Sequence, residues 1–308
     1  MAFTAKDVAA LREITGAGMM DCKKALTHTE GDMDKAAEYL REQGISVAAK
    51  KASRIASEGV VMAYTSEDGR QGSLVELNCE SDFVARGEGF VSLAEDIAKQ
   101  VVVIKPASNE ELLDSKIGDR TVSELITATT AKTGEKVSFR RFAYQHAAKE
   151  EAYIHMGGKI GVLLEVDTDK DVNSNEEFNT MCHDIAMHIA AMSPLYLYNE
   201  EVPAADVEHE KEILRIQQAN DPKNAKKPPE VLEKMIVGRL GKFYKEVCLI
   251  DQEFVKDSSL TIRQLVEKVG KSVGAKITLK KFTRFVMGEG LEKRNENFAE
   301  EIAKMSAK

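Results

Sequence analysis

TVSELITATTAKTGEKVSFRRF, residues 121–142, returns without a gap as TIRQLVEKVGKSVGAKITLKKF, residues 261–282, at an offset of 140. Thr121/Thr261, Leu125/Leu265, Gly134/Gly274, Lys136/Lys276 and Phe142/Phe282 are identical. Val122/Ile262, Val137/Ile277, Arg140/Lys280 and Arg141/Lys281 are conservative. A second pair lies upstream. GSLVEL at 72–77 matches GVLLEV at 161–166 at an offset of 89. Phe90 and Asp96-Ile97-Ala98 match Phe178 and Asp184-Ile185-Ala186 at an offset of 88. Strand-like and helix-like pieces repeated in the same order predict a duplicated α+β core. Chance similarity is the alternative, and two pairs in one order weaken it. The offsets differ by 52, so the second copy carries an insertion of about 52 residues.

The insertion falls between about 199 and 250. Leu232, Met235, Ile236, Leu240, Phe243 and Val247 step by three and four, and Pro228-Pro229 suits a helix start. Val207, Ile213 and Leu214 mark a weaker stripe before the polar turn 220–227. This predicts an antiparallel helical hairpin, either a packed pair or an arm for a partner.

Outward from the core, the first 55 residues read as three short helices. Thr4 and Asp7 form a capping box that opens the first, and Gly16-Ala17-Gly18 stops it. The second opens at Met19. The third starts at Gly31-Asp32 and ends near Gly44, before a helical connector at 48–54. So small a unit buries little surface and should dock through an exposed face. At the other end Phe298, Ile302 and Met305 share one face of a C-terminal helix. The units expected are 1–55, 56–145, 146–285 with the hairpin inside it, and 286–308.

The 308 residues carry 43 Lys and Arg against 51 Asp and Glu, a net charge of −8. A dedicated nucleic-acid binder usually shows a basic field, so no direct nucleic-acid contact is expected. Cys22, Cys79, Cys182 and Cys248 are too scattered for a zinc knuckle or a dithiol motif, and read as reduced cysteines. The start, MAFTAKDVAALRE, has no apolar segment of signal-peptide type. Residues 185–199 are too short to span a bilayer. A cytoplasmic location follows as the expectation.

Motif tests find no reaction chemistry. Gly270-Lys271-Ser272 ends like a phosphate loop, but Leu265 stands where the leading glycine belongs. No GxGxxG, GxSxG or HExxH occurs. His183 and His188 are five apart, a poor spacing for two ligands on one helix face. Neither an enzyme, a cofactor nor a metal site is expected. One segment is unusual. Glu80-Ser81-Asp82-Phe83-Val84-Ala85-Arg86 sets an aromatic beside an acid just past a strand end. The second copy has Asp169-Lys170-Asp171-Val172-Asn173 and no aromatic. Phe83 is either a core phenylalanine after a helix-capping Ser or Asp, or an acquired functional element.

These residues carry a family resemblance. TGAGMMDCKKAL at 15–26 resembles the N-terminal signature of bacterial elongation factor Ts. NCESDFVA at 78–85 resembles that family's second signature, with Ser81 where Thr is usual. HDIAMHIAA at 183–191 and GEGLEK at 288–293 also fit, so the resemblance covers essentially the whole chain in order.

The resemblance implies guanine-nucleotide exchange on elongation factor Tu, a GTPase of bacterial protein biosynthesis. It implies a ubiquitin-associated-like (UBA-like) N-terminal module, antiparallel sheets in the core, a coiled-coil hairpin and a C-terminal helical module. Carried over residue by residue, Asp82 and Phe83, flanked by Ser81 and Val84, wedge beside the partner's Mg²⁺ and phosphate site. Arg12, Met19 and Met20 match a partner-contacting face, with core packing as the alternative for the methionines. His188 matches a histidine near the partner contact, with a satisfied helix histidine as the alternative. Phe298 extends the footprint. A dimer, or a heterotetramer with the partner, stays open. A scaffold or chaperone that binds through the same surface without exchange is the rival reading.

Overall fold

Three-four stepping and strand alternation are realised as an α+β fold in the computed structural model, which describes residues 3–15, 17, 19–221 and 227–292. Three helices come first: α1 (Ala5–Thr15), α2 (Met19–His28) and α3 (Met33–Lys51). The Thr4–Asp7 capping box forms: Thr4 N donates to Asp7 Oδ2 at 2.6 Å, and Asp7 N to Thr4 Oγ1 at 3.4 Å. Val8, Leu11, Cys22, Ala25, Leu26 and Ala36 make the small core of this unit. The expected stop near Gly44 does not occur. Gly44 is buried against Ala131, where an added Cβ would lie 3.5 Å from the alanine Cβ. Tertiary packing there outweighs the low helix propensity of glycine. The expected helix and its connector are one element. The stop at Gly16 and Gly18 and the tail residues Phe298, Ile302 and Met305 lie outside the described residues.

The core holds two three-stranded antiparallel sheets of the same build. The first joins β1 (Glu58–Thr65), β2 (Gln71–Cys79) and β5 (Ser138–His146), with β2 in the middle. The second joins β6 (Lys149–His155), β7 (Ile160–Thr168) and β10 (Ile277–Val286), with β7 in the middle. Between β2 and β5 run α4 (Asp82–Ala85), α5 (Glu88–Ile104), α6 (Asn109–Asp114), the short pair β3 (Lys116–Ile117) and β4 (Arg120–Thr121), and α7 (Val122–Thr133). Between β7 and β10 run α8 (Glu176–Met192), α9 (Ala204–Ala219), α10 (Pro229–Val247), the pair β8 (Glu253–Phe254) and β9 (Asp257–Thr261), and α11 (Ile262–Val273).

The segments that repeat in sequence fold alike. Thr121 with Glu124, and Thr261 with Gln264, close capping boxes at the starts of α7 and α11. Gly134 and Gly274 end those helices in the left-handed conformation, with φ of 75° and 68°, where a side chain would be strained. The pairing register slips at Arg140 in β5 and at Lys280 in β10, the same place in both alignments.

Each sheet buries one face under its own helices. Val75, Leu77, Phe90, Ile97 and Val101 belong to the first core, and Val162, Leu164, Phe178, Ile185 and Leu249 to the second. The opposite faces meet through Val61, Leu74, Leu163 and Phe285. A Cβ on Gly72 would come within 2.5 Å of Leu163, and one on Gly161 within 2.4 Å of Val61. Only glycine at these matched positions lets the sheets approach so closely. The inner strands are therefore covered on both sides, and 72–79 is buried at every residue.

The insertion is a pair of packed helices. Arg215 Nε of α9 meets Glu233 Oε1 of α10 at 3.3 Å. Its root is clamped by backbone hydrogen bonds from Leu195 N and Tyr196 N to Val247 O (2.9 and 3.0 Å) and from Leu249 N to Tyr196 O (2.9 Å). No helix among the described residues is long and apolar enough to cross a membrane.

Candidate functional site

Ser81 leaves β2 with extended backbone and caps α4, its Oγ accepting from Val84 N at 3.3 Å. A helix of four residues has almost no stability of its own, so side chains must hold it. Val84 packs on the first core and Ala85 is buried. Asp82 pairs with Arg86 one turn on, at 3.0 Å. Phe83 points away from all of this and is 86% exposed. Large aromatic side chains normally bury most of their area, so this ring is not a core residue.

The support below the helix is polar. Glu135, in the turn between α7 and β5, accepts from Glu80 N (3.1 Å), Ser81 N (2.9 Å) and Ser81 Oγ (2.6 Å). Lys136 N donates back to Glu80 Oε1 at 2.6 Å. Lys136 Nζ reaches Ala52 O (2.7 Å) and Arg54 O (2.9 Å), just beyond α3. Arg54 pairs with Glu80 at 3.2 Å. Arg41 of α3 also contacts Glu124 of α7, and Lys51 contacts Gly134 O. The N-terminal unit thus rests on the first half of the core, next to the Phe83 element.

Arg12, Met19 and Met20 are all exposed, Met20 at 63%. Core packing is therefore not the role of either methionine. His188 is corrected in the other direction. It is 0% exposed, its Nε2 donates to Gln252 Oε1 at 3.0 Å, and its Nδ1 accepts from Val255 N at 3.2 Å. Burial lowers its pKa and holds it neutral. It is a satisfied helix histidine with no side-chain surface to offer a partner. Sequence reasoning also passed over Glu135. The signal was the ungapped repeat itself, which sets Glu135 opposite Ala275.

Chemically, the exposed aromatic beside an acid can enter an apolar crevice of another protein and present a carboxylate at its edge. Among the described residues, no group of three or more His, Cys, Asp and Glu is placed to hold a metal ion.

A family model described as "Elongation factor TS" matches residues 80–289. The chain is 48% identical over 307 residues to an Elongation factor Ts of Symbiobacterium thermophilum, covering 98% of each chain. It is 49% identical over 308 residues to one of Clostridium perfringens, covering 99% of each. The Clostridium novyi protein of the same name is 49% identical over 304 residues, covering 97% of each.

Proposed function

The chain belongs to the elongation factor Ts family, and on that premise we propose that it is the guanine-nucleotide exchange factor of elongation factor Tu in bacterial translation. Exchange of this kind needs no acid, base or nucleophile. A factor that binds the nucleotide-free GTPase more tightly than the nucleotide-bound form weakens nucleotide binding by the same ratio, because the two equilibria are linked. Contacts alone supply the drive.

The exposed ring of Phe83 is the observation that carries this reading. On it, Phe83 inserts between helices of the GTPase domain, and Asp82 supports the contact. Ser81 caps the short helix and Val84 anchors it. The insertion disturbs the partner's Mg²⁺ site and phosphate loop. Because Mg²⁺ neutralises much of the phosphate charge, its loss loosens GDP. Arg12, Met19 and Met20 form a second contact on the same partner.

The layout serves that task. We read residues 1–55 as a UBA-like docking module. Residues 56–145 and 146–285 are two copies of one unit, the second carrying a coiled-coil arm. The factor acts in the cytoplasm.

Release of fluorescent GDP from purified elongation factor Tu tests the reading. Phe83→Ala should slow stimulated release about tenfold or more, the scale of a lost interface hot spot. Wild-type protein that binds the GTPase without accelerating release would leave only a scaffold. Unchanged kinetics in Phe83→Ala would sink the wedge.

A further inference from the structure

We propose that Glu135 is the positioning residue of the Phe83 element, and that its turn ties this element to the end of the N-terminal module. The first half of the statement concerns the free protein. The second, that this position sets exchange, rests on the reading above.

Three donors converge on one carboxylate: Glu80 N, Ser81 N and Ser81 Oγ. Bonds to an ionised acceptor are stronger than neutral ones. The geometry also assigns the hydroxyl proton. Ser81 Oγ directs its hydrogen to Glu135, which leaves its lone pairs turned toward Val84 N, the bond that caps α4. Glu135 therefore fixes both the backbone that enters the helix and the orientation of its cap. Phe83 follows two residues after Ser81, so the ring inherits that placement.

The second half of the core supplies an internal control. Asp169 stands 89 residues after Glu80 and keeps the equivalent bond, accepting from Lys276 N at 2.7 Å, as Glu80 accepts from Lys136 N. That bond belongs to the shared fold. At the position of Glu135 the second half has Ala275, and no helix forms at 169–173. The extra carboxylate occurs in the half that carries the exposed aromatic. A residue needed only to build the fold has no reason to follow that division.

The same turn grips the other side. Lys136 Nζ holds Ala52 O and Arg54 O, and Lys51 contacts Gly134 O. Residues 134–136 thus touch the base of the Phe83 helix and the end of α3. Both candidate partner-binding elements are referenced to one three-residue turn.

Amide hydrogen exchange and GDP release on the full chain test this together. In Glu135→Ala, amides of 81–86 should exchange about tenfold faster while the strands keep their protection, as loss of a charged acceptor opens the segment locally. Unchanged exchange there overturns the positioning role. Stimulated GDP release should slow roughly fivefold in Glu135→Ala, and Glu135→Gln should fall between that and wild type, because its one amide oxygen still accepts from the Glu80 and Ser81 N–H groups while its NH2 turns a donor toward Ser81 Oγ. In a Phe83→Ala background, Glu135→Ala should slow release no further. Equal slowing in both backgrounds marks general destabilisation and overturns the functional half. If Phe83→Ala alone does not slow release, the exchange reading fails, and the amide data alone decide whether Glu135 holds the element.

Discussion

The backbone N–H of Gly288 donates to the buried Oε1 of Glu76 at 2.8 Å, tying the chain beyond β10 to the middle strand of the other sheet. Arg140 meets the same oxygen at 2.9 Å, and Arg141 Nε meets Oε2 at 2.7 Å. Burial would raise this carboxyl, but the Gly288 N–H and the two guanidinium groups outweigh it and hold the pKa below its ordinary 4.5. The carboxylate therefore contributes stability that is complete above pH 4.5 and is lost as pH falls through the lower folded value. Glu76→Ala should cost about 3 kcal/mol in urea unfolding, the low end for breaking a buried pair, because both arginines keep some access to water. Glu76→Gln should flatten the acid limb of the stability profile, and an unchanged limb would count against the ionised cluster.

Phe83 and Phe90 are seven residues apart and should respond oppositely. Phe83 is 86% exposed and Phe90 3%. Phe83→Ala should leave stability within about 0.5 kcal/mol, as for surface positions free of special contacts. Phe90→Ala should cost about 3–5 kcal/mol by opening the first core. Thermal unfolding of the two variants decides it, and a large loss in Phe83→Ala would mean that the ring packs in solution.

Much of this was legible locally. Thr121 and Glu124, Thr261 and Gln264, and the glycines that follow write their helix starts and stops within a few residues. The elements that misled depend on distant contacts. Gly44 reads as a stop until α7 lies against it. His188 reads as either a histidine near the partner contact or a satisfied helix histidine until Gln252 and Val255 close over it from 64 and 67 residues away. Phe83 is ambiguous in the sequence because pattern does not say whether an aromatic after a strand turns inward. Glu135 is silent in the sequence because one acid in a polar turn is ordinary until its donors arrive from Glu80 and Ser81, just past β2.

The four cysteines should be slow to react in the native protein. All are buried. Burial pushes the thiols of Cys79 and Cys182 up to about 12 and that of Cys248 to about 11. The thiolate is the reactive form, and these sites hold little of it near pH 8. A thiol-specific chromophore should titrate all four in denaturant and react far more slowly without it. Rapid native labelling at Cys79 would mean that the Ser81 segment opens.

Glu150 should make the protein less stable as pH rises. It is 1% exposed on β6, paired across the strands with Glu165, and neither of its carboxylate oxygens has a hydrogen-bond partner among the described residues. Burial, reinforced by Glu165 and only partly offset by Lys281, pushes its pKa up to about 9. The unfolded chain gives up this proton near pH 4.5, whereas the folded chain keeps it to about 9. Between those values the native state binds more protons, so stability falls with rising pH, by at most about 1.4 kcal/mol per unit for one proton. Glu150→Gln removes that contribution. Its stability relative to wild type should climb from pH 5 to pH 8 in urea unfolding and level off above about 9, where the folded carboxyl also ionises. A difference that does not change with pH would mean that Glu150 is already charged in the folded protein.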